Sequence, residues 1–172
     1  MTTLPIARLA KVLLLAAMAF FFALVVFNNI TDYDSNYQFV RHVLSMDSTF
    51  PGNHGMGRAI TTPAIHTAFY LSIIAWEILN TLLCAWGAIA LLRNLRAPEP
   101  TFQRAKRIGI AALTSGMLQW FVAFLCVGAE WFLMWQSHQW NGQEAAFRMF
   151  MMEGVVMLLL QMHEPNSAHN IE

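Results

Sequence analysis

Charge is what this sequence has least of. Asp, Glu, Lys and Arg make up 12% of its 172 residues, against roughly 25% in an ordinary soluble domain. Such a surface would not stay dispersed in water, so a free-standing soluble domain is excluded. The ten basic and ten acidic residues cancel, and no basic stripe points toward nucleic acid. Cysteine is nearly absent. Cys84 and Cys126 both fall inside apolar stretches on different predicted helices and on opposite sides of mid-membrane, which leaves no disulfide framework. Also missing are a Gly-rich phosphate loop, a nucleophile elbow, paired zinc-ligand spacings and any internal repeat, so no soluble catalytic chemistry is legible and the chain reads as non-enzymatic.

What is present is hydrocarbon: 57% of the residues are hydrophobic. They gather into four stretches, about 6–27, 64–92, 108–135 and 145–161, each near the roughly 20 residues a helix needs to cross a bilayer. The chain therefore reads as one all-α membrane domain spanning residues 1–172, a four-transmembrane-helix bundle. The first stretch resembles a signal peptide in isolation, but it ends without a small-x-small cleavage site and is read as an uncleaved helix. The last is the least secure span because it carries Arg148 and Glu153.

Seven of the ten basic residues, Arg8, Lys11, Arg93, Arg96, Arg104, Lys106 and Arg107, flank the start of the first stretch or fill the 93–107 loop. Short basic loops stay in the cytoplasm, which predicts both termini inside. The 28–63 loop then lies outside. Within it, Ser35-x-x-Gln38 fits a capping box, and Tyr37, Val40, Val43 and Leu44 recur at helical spacing, predicting a short amphipathic helix over 36–46. Trp131, Trp135 and Trp140, with Asn141, mark the outer turn between the last two spans, as interfacial aromatics do.

The chemistry-bearing candidates are ionisable or polar residues at membrane depth: Glu77, Asn80, Gln119, Glu130, Arg148 and Glu153. A charge there costs several kcal/mol, so such residues face the bundle, pair, or mark a pathway. Ala112, Ser115, Gln119, Ala123, Cys126 and Glu130 form one stripe at α-helical spacing, as do Glu77, Asn80 and Cys84. The two stripes are expected to meet. A Glu130–Arg148 ion pair is expected at the outer ends of the last two helices, with Glu144 as a competitor four residues before Arg148. The alternative use of Glu77, Gln119 and Glu153 is a proton or cation conduit. Against it stands the lack of broken, repeat-related helices. A third reading puts haem or copper on the outer side, using His42, His54, His66 and His138 near Met46 and Met56. No tight ligand motif accompanies them, and no cofactor is expected. The Met-rich last stretch (Met149, Met151, Met152, Met157, Met162) is read as core and lipid contact, with adaptable contact to another subunit as the alternative.

The runs 130–137 (EWFLMWQS), Trp140-Asn141-Gly142-Gln143 and Ala145-Ala146-Phe147-Arg148, with the outer-loop run 28–51, resemble the bacterial family of predicted small integral membrane proteins of unknown function. The resemblance extends over nearly the whole chain. It implies four transmembrane helices in a bacterial inner membrane with the long loop periplasmic, and brings no reaction, cofactor or catalytic residue. The leading expectation is thus an accessory or assembly subunit in contact with lipid and with other membrane subunits or itself, docked on a larger, energy-transducing complex.

Overall fold

A computed structural model describes residues 5–163; the remainder of the expected 1–172 domain lies outside the described residues. The elements are all helical: α1 Ile6–Thr31, α2 Tyr33–Ser45, α3 Pro63–Arg93, α4 Glu99–Leu118 continuing directly as a π-helical segment Gln119–Trp131, and α5 Gln143–Gln161. Single 3-10 turns occupy His54–Arg58 and Met134–Gln136. Three helices, Ile6–Thr31, Pro63–Arg93 and Glu99–Trp131, are long and apolar enough to cross a membrane. The sequence predicts four. The fourth, α5, has 19 residues and carries Glu144, Arg148 and Glu153, which dilute its hydropathy below that of the others.

Boundaries differ where local chemistry outweighs hydropathy. The third span was expected to begin at 108, yet α4 starts nine residues earlier, inside the expected 93–107 loop. Pro100 falls at the first positions of the helix and Glu99 in its first turn, where a missing N–H and a negative charge are both favourable. Helix α2 begins at Tyr33 rather than 36, separated from α1 by Asp32 alone. Ser35 and Gln38 are therefore inside the helix, and the expected capping box is not formed. The α2 helix also packs down on the bundle: Val40, Val43 and Leu44 join Tyr70, Ile74, Ala129, Phe132 and Met134 in an outer apolar cluster.

The four long helices run alternately up and down, with α1 against α3, α3 against α4, α4 against α5, and α5 closing on α1. The end where α1 and α4 begin is tied by cations. The Arg8 guanidinium donates to the carbonyls of Leu95 (3.2 Å) and Ala97 (2.6 Å) and pairs with Glu99 at 2.6 Å. Lys11 and Lys106 both donate to the Met162 carbonyl at the C-terminal end of α5, where a helix dipole favours positive charge. Above this lies a dense apolar core that includes Leu15, Phe22, Leu91, Leu113 and Leu160.

Close approach in this half depends on glycine. A Cβ at Gly87 would stand 2.9 Å from the Gly109 backbone nitrogen and 2.9 Å from a Leu15 methyl, so the α3 and α4 backbones touch in the manner that drives helix association in lipid. Gly87→Val is expected to force α3 and α4 apart and lower stability by about 1–3 kcal/mol, read as a lower unfolding temperature in a bilayer mimetic. An unchanged temperature would contradict this packing.

Candidate functional site

Midway between the two apolar clusters the interior turns polar. Glu77 and Asn80 on α3, Gln119 at the start of the π segment and Glu153 on α5 are each 0–1% exposed. The Asn29 amide donates to one Glu77 carboxylate oxygen at 2.7 Å, and the Gln119 amide approaches the other at 3.4 Å. Gln119 in turn accepts from the Asn80 amide at 2.8 Å. At the outer edge the Tyr70 hydroxyl donates to the Asn29 backbone carbonyl at 2.8 Å, and alongside, the Trp76 indole donates to the Ser115 hydroxyl at 2.9 Å. Three of the four long helices therefore converge on the Glu77 carboxylate, and the α3 and α4 stripes meet through Asn80–Gln119 and Trp76–Ser115.

Asn29 and Tyr70 escaped the sequence reading. Their signal was present: Leu15, Phe22 and Asn29 recur every seven residues, and all three face inward once α1 is extended past Phe27 to Thr31.

Glu153 is bonded differently. The Trp120 indole N–H faces its carboxyl without closing a hydrogen bond of normal geometry, and neither carboxylate oxygen has another partner. Gly116 leaves the space this carboxyl occupies, since a Cβ there would collide with it, and the Phe22 ring closes the same notch at 2.9 Å. Asn80 retains an unpartnered carbonyl oxygen. Buried polar atoms without partners are uncommon and concentrate where a chain does something besides fold.

Beyond Gln119 the expected stripe breaks. Cys126 and Glu130 are exposed, while Gly128 and Ala129 point inward. In a π helix the i→i+5 pattern adds close to one residue per turn, so a face drawn at α spacing rotates away from the bundle. The expected Glu130–Arg148 pair is absent for the same reason: Glu130, Glu144 and Arg148 are all exposed, and none of the three pairs within the described residues, whereas Arg8–Glu99 and His42–Asp47 do.

The outer tryptophans serve the loop. The Arg58 guanidinium lies 5.2 Å from the Trp131 ring, Trp135 meets Phe50 edge-on at 5.8 Å, and Trp140 stacks on His42 at 4.6 Å. The Asn141 side chain accepts from the Gln143 N–H at 3.1 Å and so caps α5. The four outer histidines do not converge. His42 Nδ1 contacts Asp47 at 2.8 Å, buried His66 contacts the Ile60 carbonyl at 2.7 Å, and His54 and His138 are exposed on separate turns. Among the described residues no group of three His, Cys, Asp or Glu could hold a metal ion.

Removing the Glu77 carboxyl should strand the two amides aimed at it. Glu77→Leu is expected to destabilise by about 1–3 kcal/mol per stranded group, and Glu77→Gln, which keeps one acceptor, by less. Thermal unfolding in lipid nanodiscs reads the order; equal losses from both substitutions would refute the network as drawn.

No curated protein and no solved structure matches the chain. One family does, over residues 7–163, described as predicted small integral membrane protein (DUF2165). That match runs from the first turn of α1 past the end of α5, through both apolar cores and the polar layer between them, and the chain belongs to this family of small integral membrane proteins.

Proposed function

We propose that this chain is a non-enzymatic accessory or assembly subunit that crosses the bacterial inner membrane four times, with both ends inside. It seats the outer half of α5 and the π segment against another membrane protein of a larger, energy-transducing complex. One observation carries the reading: Glu130, Glu144 and Arg148 are exposed on this face with no partner among the described residues. Glu130 and Glu144 border a recess with Asn141, Gln143 and Phe147, Arg148 follows one turn beyond Glu144 on α5, and Met151 and Met152 are exposed further along. Charges at this depth are costly against lipid and are relieved by a facing polar group, while thioethers adapt to an irregular partner surface. Basic residues at the other end agree with the inside orientation.

The test is extraction of the native protein directly into lipid nanodiscs, followed by native mass measurement. A complex larger than one chain is expected, and Arg148→Glu is expected to release the chain from it while leaving helicity unchanged. A lone monomer from native membranes, or a complex indifferent to Arg148→Glu, would overturn the proposal.

A second reading rests on Glu77 and Glu153, whose burial in the polar layer suits a small proton- or cation-conducting protein. The sealed inner core and the Gly87–Gly109 contact weigh against a continuous path. Purified chain in vesicles loaded with a pH-sensitive dye separates the two readings: conduction requires a flux that Glu77→Gln and Glu153→Gln reduce, and a flux indifferent to both removes it.

A further inference from the structure

While α3 and α4 touch through glycine, α3 and the π segment draw apart on the other side of the polar layer. The gap is a cleft of about 260 Å³, with Phe69, Ser72 and Trp76 on one wall and Val122, Ala123 and Val127 on the other. Helix α2 roofs it with Val40, Val43 and Leu44. Phe69, Ser72 and Val122 are exposed at its mouth, so the cleft opens sideways, between two membrane-crossing helices.

Nothing in the lining carries a charge. Of its two polar side chains, the Ser72 hydroxyl already donates to the Phe69 carbonyl at 2.7 Å, and the Trp76 indole donates to Ser115. An occupant would find no free donor on these side chains and must be apolar along its length. From Phe69 to Trp76 is seven residues, roughly 10 Å along the helix axis, room for a stretch of hydrocarbon chain.

A cation stands at the outer end of the same π segment. Arg58 is exposed, its guanidinium donating to the Trp131 carbonyl at 3.1 Å, and the next residue, Phe132, lines the cleft. Guanidinium is suited to phosphate.

We propose that this cleft binds one acyl chain of a phospholipid, whose phosphate is held beside Arg58 while the chain runs beneath α2 between α3 and the π segment. The assignment stands on the membrane-crossing fold and is independent of the docking reading. It gives the π segment a purpose, because π geometry often marks functional positions. Here it sets Ala123 and Gly128, which have little or no side chain, in the lining of the cleft.

The experiment uses the full chain in nanodiscs of phosphatidylglycerol carrying a diazirine on one acyl chain, with photolabelled positions mapped by mass spectrometry. Labelling at Ile73, Trp76 and Val127, which are half-buried in the cleft lining, is expected several-fold above that at Leu71 and Leu79, which face lipid and are about half exposed. Ala123→Trp, which fills the cleft, is expected to return labelling there to the level of Leu71. Arg58→Ala is expected to lower it, and Arg58→Lys, which keeps the cation, to restore most of it. Equal labelling of cleft and lipid-facing positions would overturn the proposal, as would undiminished labelling in a folded Ala123→Trp protein. Labelling indifferent to Arg58→Ala and matched by a neutral isoprenoid probe would overturn the phospholipid assignment.

Discussion

A carboxylate in hydrocarbon has no solvent to satisfy it, so the protein must bring the donors. At Glu77 they come from two other helices, the Asn29 amide on α1 and the Gln119 amide at the start of the π segment. That requirement fixes more than one side chain. It sets the rotation of α1 so that Leu15, Phe22 and Asn29 share the inner face, and the register of α3 against α4 so that Asn80 reaches Gln119. In lipid, where burying apolar surface against another helix gains little over burying it against acyl chains, directional bonds of this kind and close backbone packing supply the specificity of association.

The bundle on either side of this layer is built differently. Toward the end where α1 and α4 begin, glycine contacts and a dense leucine and phenylalanine core leave no room, and the cationic ties of Arg8, Lys11 and Lys106 hold three chain segments to one another. Toward the other end α4 gives way to the π segment, α3 draws apart from it while α5 stays packed on it, and α2 with its loop folds over to cover part of the gap. One half is a clamp; the other is opened and then roofed.

Much of this was legible in the sequence, and what was not has identifiable causes. Hydropathy located the three most apolar helices because each presents apolar side chains nearly all round, and it reached α5 only weakly because Glu144, Arg148 and Glu153 interrupt it. The α3–α4 stripes were recovered through Gln119 because both helices keep α spacing that far. Past Gln119 the same arithmetic placed Cys126 and Glu130 inward, where a change of helical period rotates them out, and the Glu130–Arg148 pair inferred from it failed with it. No residue in 119–131 announces a π helix; its hydropathy is that of any spanning segment. Helix ends moved for a related reason, since Asn28 and Asn29 look like a terminus until a buried carboxylate is found to need the second of them. The exposed Arg148 and Glu153's unpartnered oxygens also have no signature beyond their presence in a greasy stretch, because whether a charge at a given depth is paired depends on the rotation of its neighbours.

The change of period at Gln119 also bears on why a small protein keeps so expensive an interior. Had α4 continued at α spacing, Ala123, Cys126 and Glu130 would have stayed on the face that carries Ser115 and Gln119, extending the polar stripe along the bundle and adding a third carboxylate to it. The π segment instead confines the buried carboxyls, among the described residues, to Glu77 and Glu153, turns Gly128 and Ala129 inward, and delivers Glu130 to the surface of the bundle beside Glu144. The polar layer is thereby bounded on both sides by apolar clusters. Such a boundary lets the helices be registered by hydrogen bonds without opening an aqueous path through the membrane, and it leaves the outer face of α5 free to meet whatever lies beside it.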